Sequence, residues 1–232
     1  MNLHFVTSIS KEYWYSTARF CINTWDLPGT VTVFVDQKDG DLTWISEIVA
    51  DNIVLLDVPA INTPEHKRSK VRKFWGKAYS QIVAIRSRGL NERIIWVDSD
   101  VEQIDVADAE LFNFEFAEPF AILNSEDAED CWETGIVLFN QQYGKLNQLI
   151  KRYERSWHDD DFLSSLWRPY DTQVLGDIAL DKGFLNLCDA KCKNVNALEN
   201  SRYSTAFKHW INKDNKKLLS DIQLNDNSSD LS

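Results

Sequence analysis

The stretch Arg93-Ile94-Ile95-Trp96-Val97-Asp98-Ser99-Asp100 constrains this chain most. Four apolar residues in a row, rich in β-branched side chains, read as a strand buried on both faces. Two carboxylates follow at once, separated by one serine. On an extended chain, residues i and i+2 point to the same side, so Asp98 and Asp100 converge just past the strand end. Ligands bind there in open α/β sheets. Two carboxylates held that close repel each other unless a cation lies between them. Hard oxygen donors favour Mg²⁺ or Mn²⁺, which commonly carry a phosphate as a further ligand. The first expectation is therefore a metal–diphosphate site. The bland alternative is a strand followed by a solvated Asp-Ser-Asp turn.

A phosphate ligand needs positive charge, and the chain as a whole has little to offer. It carries 25 basic against 36 acidic residues, a net charge of −11. That balance argues against a nucleic-acid partner bound through the general surface. The dense positive cluster is Lys67, Arg68, Lys70, Arg72, Lys73 and Lys77, in the first half of a long helical pattern from Glu65 to Arg88. Val71, Trp75, Ala78, Ile82 and Ile85 recur there at helical spacing and predict its buried stripe. Lys70, Lys73 and Lys77 share another face, which could hold a diphosphate. A solvated charged face is the competing reading. This helix leads directly into the Asp98 strand.

The units before it alternate strand and helix. Leu3 to Thr7 reads as a first strand ending in Thr7-Ser8-Ile9-Ser10, whose hydroxyls suit a helix N-cap or contacts to a ribose or base. Lys11 to Thr24 is helical in pattern, and Pro28-Gly29 is a turn. Thr30 to Val35 is a second strand, ending at Asp36, either a turn residue or an acceptor for a ribose or uracil. Leu42 to Val49 reads as a short helix and Ile53 to Leu56 as a third strand. After Asp100, Asp105 to Phe116 reads as a short helix or loop. Strands are expected at Pro119 to Leu123, Ile136 to Phe139 and Phe184 to Cys188, with an amphipathic helix from Gln141 to Trp157. His158-Asp159-Asp160-Asp161 resembles a metal cluster on paper but reads as an acidic turn. Asp171 is a plausible N-cap for the helical pattern up to Gly183. This alternation predicts an α/β layer fold with a mainly parallel central sheet flanked by helices.

The chain has 232 residues, enough for one sizeable core and one domain. Its nine Trp and seven Tyr include candidate sugar platforms, although most aromatics are expected in the core. The four cysteines include only one close pair, Cys188 and Cys192, so zinc is not expected. No apolar run approaches the ~20 residues that cross a bilayer, and the first residues lack signal-peptide architecture. A soluble, cytoplasmic protein with reduced thiols is the resulting expectation.

With these motifs in place, the chain resembles the metal-dependent, nucleotide-sugar-dependent glycosyltransferases of the GT-A fold, the glycogenin-like families among them. Ile94 to Asp100 matches their Asp-x-Asp motif. Glu133-Thr134-Gly135-Ile136-Val137-Leu138-Phe139-Asn140 is similar to their Asn-Thr-Gly-hydrophobic-Asn segment, with Glu133 replacing the usual Asn. Tyr170-Asp171-Thr172-Gln173 is similar to their Asp-Gln segment, and His209 to a late histidine that completes metal coordination. The resemblance covers Asn2 to Lys217. It implies a GT-A domain over 1–217, with a nucleotide-binding half (1–100), an acceptor and catalytic half (101–217), and a polar tail (218–232). It implies Mn²⁺ or Mg²⁺ held by Asp98, Asp100 and His209. It further implies a nucleotide-sugar donor, with UDP as the nucleotide, contacted by Thr7, Ser8, Asp36, Lys73, Lys77, Asp98, Ser99 and Lys213, and a glycan or other hydroxyl acceptor. Glu133 and Asp171 are the candidates for the base. On this reading, Ser201 to Lys217 orders only with metal and nucleotide.

Two other classes compete. Asp98-Ser99-Asp100-Val101 after an apolar strand also fits the haloacid-dehalogenase-like phosphatases, with Gly176-Asp177-Ile178-Ala179-Leu180-Asp181 as their distal acidic motif. The third class is a nucleotide-sugar binding module without turnover.

Overall fold

The computed structural model describes residues 1–37, 40–61, 68–124, 132–166, 171–188 and 198–210. Among them, seven strands form one sheet in the order β3-β2-β1-β4-β7-β6-β8. β1 (Asn2–Ile9), β2 (Thr30–Asp36), β3 (Asn52–Leu56) and β4 (Glu92–Val97) are mutually parallel. β7 (Trp132–Phe139) runs antiparallel to both β4 and β6 (Phe120–Asn124), and β8 (Leu185–Asn186) is parallel to β6. The result is the expected α/β arrangement, a mixed and mainly parallel sheet with helices against it. The parallel strands all leave at one edge, where Ser10, Asp36, Asp57 and Asp98 follow or end them.

β4 explains why the sheet is covered on both sides. Alternate residues of a strand point to opposite faces. Ile94 and Trp96 enter one core with Val71, Trp75, Ala78, Ile82 and Ile85, while Ile95 and Val97 enter another with Phe112, Tyr203 and Phe207. The first core is built by α3 (Arg68–Ser87), α4 (Leu146–Ser156) and α6 (Asp171–Lys182). The stripe expected on α3 is the one that is buried. Trp14, Trp44, Trp75, Trp96, Trp157 and Trp210 are all buried, so most tryptophans serve packing.

Between β1 and β2 the chain forms one continuous helical stretch: α1 (Lys11–Tyr13), a π-helical turn (Trp14–Ala18) and α2 (Arg19–Ile22). Ser10 caps it, its side chain accepting from the Tyr13 N–H at 3.3 Å. The capping role expected within Thr7–Ser10 therefore falls to Ser10. Gly29 closes the following turn against the Leu3 backbone, where a Cβ would meet the Leu3 carbonyl.

Several expectations change in detail. Leu42 to Val49 holds a 3₁₀ turn, Thr43–Glu47, instead of an α-helix. The acidic run at His158 begins a helix: Asp159 caps α5 (Asp160–Ser165) by accepting from the Phe162 N–H at 3.0 Å. The strand expected at Phe184 to Cys188 is the two-residue β8, and a further strand follows it. β5 (Val101–Gln103) and β9 (Phe207–His209) form a separate antiparallel pair that the sequence reading did not anticipate. Three-residue strands are too short to show a period. Residues 1–100 and 101–210 contribute to one sheet, while the tail expected at 218–232 lies outside the described residues. No described helix is long and apolar enough to cross a membrane.

Candidate metal centre

Asp98 is the first residue past β4, and its position is set by the neighbouring strand: its N–H donates to the Gly135 carbonyl at 2.8 Å. Gly135, inside the segment that carries the resemblance, here supplies a backbone acceptor. The chain then turns. Val101 N–H donates to Asp98 C=O at 2.9 Å, and β5 begins. Asp98 and Asp100 do converge, but through this turn and not through the alternation of an extended strand.

Each carboxylate is gripped by donors. Asp98 Oδ1 accepts from Trp96 Nε1 at 2.6 Å and pairs with Lys77 Nζ at 2.6 Å. Lys77 also donates to Thr134 Oγ1 at 2.9 Å and lies 5.6 Å from the Trp96 ring centre. Asp100 Oδ2 accepts from Tyr13 OH at 2.6 Å, and its Oδ1 lies 3.0 Å from His209 Nε2. Burial first, and then the Asp100 charge, push the Tyr13 phenol far above its ordinary range, so it stays a proton donor.

His209 arrives from the far end of the described chain. The β5–β9 register pairs Val101 with His209 and Glu102 with Lys208, and Trp210 N–H donates to Asp100 C=O at 3.0 Å. Trp210 Nε1 adds a bond to Glu102 Oε2 at 2.9 Å. Residues 206–210 are thus tied to β5 and its flanks by their own backbone, Ala206 C=O accepting from the Ile104 N–H at 2.8 Å at the far end of the pair. His209 Nε2 lies 3.9 Å from Asp98 Oδ2, and both Asp100 and His209 are less than a tenth exposed.

One ligand atom from each of Asp98, Asp100 and His209 lies within 4.8 Å of the others. Two carboxylate oxygens and an imidazole nitrogen suit a divalent cation such as Mn²⁺, so the donor set fits the expected ion. Nε2 now serves the Asp100 carboxylate. As a ligand it would offer its lone pair, with the proton on Nδ1.

The other expected site residues are distributed as follows. Ser99 is buried between the two aspartates. Lys73 is exposed, with Nζ 4.8 Å over the Tyr13 ring, so it adjoins the cluster through that ring. Asp36, at the end of β2, is partly buried with Oδ2 3.9 Å from Arg72 Nη2. Ser8 is partly exposed, whereas Thr7 is wholly buried inside β1, with no hydrogen-bond partner for its hydroxyl among the described residues. Glu133 lies in β7 opposite Leu123, and Asp171 opens α6, but both side chains, like Lys213, lie outside what is described. Tyr13 and Trp96 were missed as site residues; each reads as an ordinary core aromatic in sequence. The proposed distal phosphatase motif is inside α6, where Asp177 and Asp181 pair with Arg152. A shallow cleft lined by Asn2, His4, Gly29 and Glu92 lies at the opposite, amino-terminal edge of the strands and gathers no comparable chemistry.

No protein-family model matches the chain. No curated protein matches it either. Solved structures do. The galactosyltransferase LgtC, in complex with donor and acceptor sugar analogs, is 13% identical with a TM-score of 0.57, over 90% of this chain and 87% of that one. The glycosyltransferase GlyE of Streptococcus pneumoniae TIGR4 is 12% identical with a TM-score of 0.54, over 81% of this chain. This chain spans 45% of the GlyE chain. Mouse xyloside xylosyltransferase 1, in its apo form, is 12% identical with a TM-score of 0.50, over 88% of this chain and 92% of that one. At these identities the likeness shows the fold alone, one that this chain shares with these three proteins.

Proposed function

We propose that this chain is a metal-dependent glycosyltransferase that moves a sugar from a nucleoside-diphosphate donor, a UDP-sugar, to a hydroxyl of a glycan or similar acceptor. The observation that carries this reading is the Asp98–Asp100–His209 cluster at the carboxyl edge of the parallel strands, beside Lys77. In transfer, the acceptor oxygen bonds to the anomeric carbon, the bond from that carbon to the diphosphate breaks, and the acceptor proton passes to a base. Positive charge develops on the sugar and negative charge on the departing diphosphate. A bound divalent cation would neutralise part of that negative charge. Asp98, Asp100 and His209 would hold the ion. Lys77 and Lys73, with Lys213, would face the phosphates, and Thr7, Ser8, Asp36 and Ser99 would complete the donor set. Thr7 is the weakest member, because it is fully buried. Glu133 and Asp171 are the proposed bases, on sequence alone. The resemblance and the shared fold support sugar transfer over phosphoryl transfer, as does the pairing of Asp177 and Asp181 with Arg152, away from Asp98.

The test is a panel of nucleotide sugars in thermal shift with and without Mn²⁺, followed by hydrolysis assays. A ligand that binds only the folded state raises the melting temperature. A Mn²⁺-dependent rise with one nucleotide sugar, and slow release of its nucleoside diphosphate, is the expected result. Faster turnover of a generic phosphomonoester than of any nucleotide sugar would favour the phosphatase. Mn²⁺-dependent binding without any turnover would favour a binding module.

A further inference from the structure

We propose that Tyr13 is the positioning residue for the metal ligand Asp100, an inference that rests on the metal-site reading above. Asp100 is held at both oxygens, by the Tyr13 hydroxyl at 2.6 Å on Oδ2 and by His209 Nε2 at 3.0 Å on Oδ1. Together these fix the plane of the carboxylate, with Oδ1 turned toward His209. With a cation bound at that corner, the Tyr13 hydrogen bond to Oδ2 would still restrain the carboxylate and so the direction of Oδ1. A phenol is suited to this task. It donates a hydrogen bond without bringing a charge that would compete with the cation.

The local build favours a fixed tyrosine. Ser10 caps the Tyr13 N–H, and the π-helical turn starts at the next residue, Trp14. That wider turn accompanies a division of labour: Tyr13 faces Asp100, while Trp14 is buried beside Trp44. π-helical turns of this kind recur at functional sites. The end of the same helical segment is tied to the strand that follows Asp100. Thr24 Oγ1 accepts from the Gln103 N–H at 2.9 Å, and Trp25 Nε1 donates to the Val101 carbonyl at 2.8 Å. Tyr13 and Asp100 are therefore carried on elements that cannot drift apart independently. The tyrosine ring also lies under Lys73 Nζ, at 4.8 Å. One side chain links the metal ligand to a lysine of the proposed phosphate face.

The experiment is a Mn²⁺ titration of the full chain without nucleotide, following the EPR signal of unbound Mn²⁺, for wild type, Tyr13→Phe and Tyr15→Phe. Tyr15 is exposed and bonds Glu47 Oε1 at 2.8 Å, away from the cluster. Loss of an outer partner of a metal ligand typically costs 10–100-fold in affinity. Tyr13→Phe should raise the Mn²⁺ Kd by about that factor, and Tyr15→Phe by less than about twofold. A merely structural tyrosine would lower the metal-free melting temperature and leave the Kd alone. An unchanged Kd in Tyr13→Phe, with wild type binding Mn²⁺, overturns this inference and spares the metal site. No Mn²⁺ binding by wild type overturns both. Should Tyr13→Phe fail to fold, a Mg²⁺ titration of wild type labelled at tyrosine ¹³Cζ reads the same contact. The Tyr13 resonance should shift on saturation as Asp100 is polarised; an unmoved resonance with Mg²⁺ bound overturns the inference.

Discussion

Lys77→Met isolates one charge at the centre of the site. Methionine keeps an unbranched stem near Trp96 while removing the ammonium that contacts Asp98 at 2.6 Å and Thr134 at 2.9 Å. The pair is largely withdrawn from water, with side chains 14% and 17% exposed. Removing one partner of a buried ion pair costs about 3–5 kcal/mol, because the other charge is left uncompensated. Residual solvent at both groups places this pair at the low end, about 3 kcal/mol. In a chain of this size 1 kcal/mol moves Tm by roughly 2–4 °C, so the metal-free variant should melt about 6–12 °C below wild type. On the metal-site proposal, saturating Mn²⁺ would bring a second positive charge to Asp98, so the gap should shrink to less than about half of that. Differential scanning calorimetry in EDTA and in excess Mn²⁺ measures both quantities. An unchanged Tm in EDTA would show that Lys77 does not balance the Asp98 charge. An equal drop in both buffers would show that the metal and Lys77 do not serve the same carboxylate.

Asp100→Asn should bind no Mn²⁺ by EPR while keeping a cooperative melt, since it relieves like-charge crowding as it removes a ligand; retained Mn²⁺ affinity would remove Asp100 from the site. His209→Ala should raise the Mn²⁺ concentration needed for donor binding severalfold without abolishing nucleotide binding, and an unaltered Mn²⁺ dependence would leave a site of the two aspartates alone. His4, buried at the opposite edge of the sheet, supplies a pH prediction. Burial, and then the Arg88 charge, lower its imidazole to about 4. The unfolded chain takes that proton near 6.5, so it binds more protons than the native state between 6.5 and about 4. Stability should fall as pH drops through that window, and His4→Gln should remove this part of the slope; superimposable Tm–pH curves would refute the assignment.

How far the site was legible depended on distance along the chain. Ile94 to Val97 declared a strand buried on both sides, and the α3 stripe declared itself by its period, because both signals are local. The Asp98–Asp100 pair was visible as a short motif, yet the reason given for its convergence was wrong. The strand stops at Val97 and a turn brings the carboxylates together. His209 was reached only through the resemblance, since nothing local marks a three-residue strand that pairs across the chain. Tyr13 and Trp96 were invisible as donors. Both are aromatic residues in apolar surroundings, and their polar ends acquire meaning only from the carboxylates that the tertiary fold sets beside them.

The β5–β9 pair has a consequence for the birth of the protein. His209 and Asp100 are 109 residues apart, and no shorter piece of chain can close their contact. At about 5–20 residues per second, a ribosome needs on the order of ten seconds to travel from one to the other. Throughout that interval the emerging polypeptide carries Asp98 and Asp100 without the imidazole that lies beside them in the finished fold. The three groups of the Asp98–Asp100–His209 cluster can therefore come together only after residue 209 has been made.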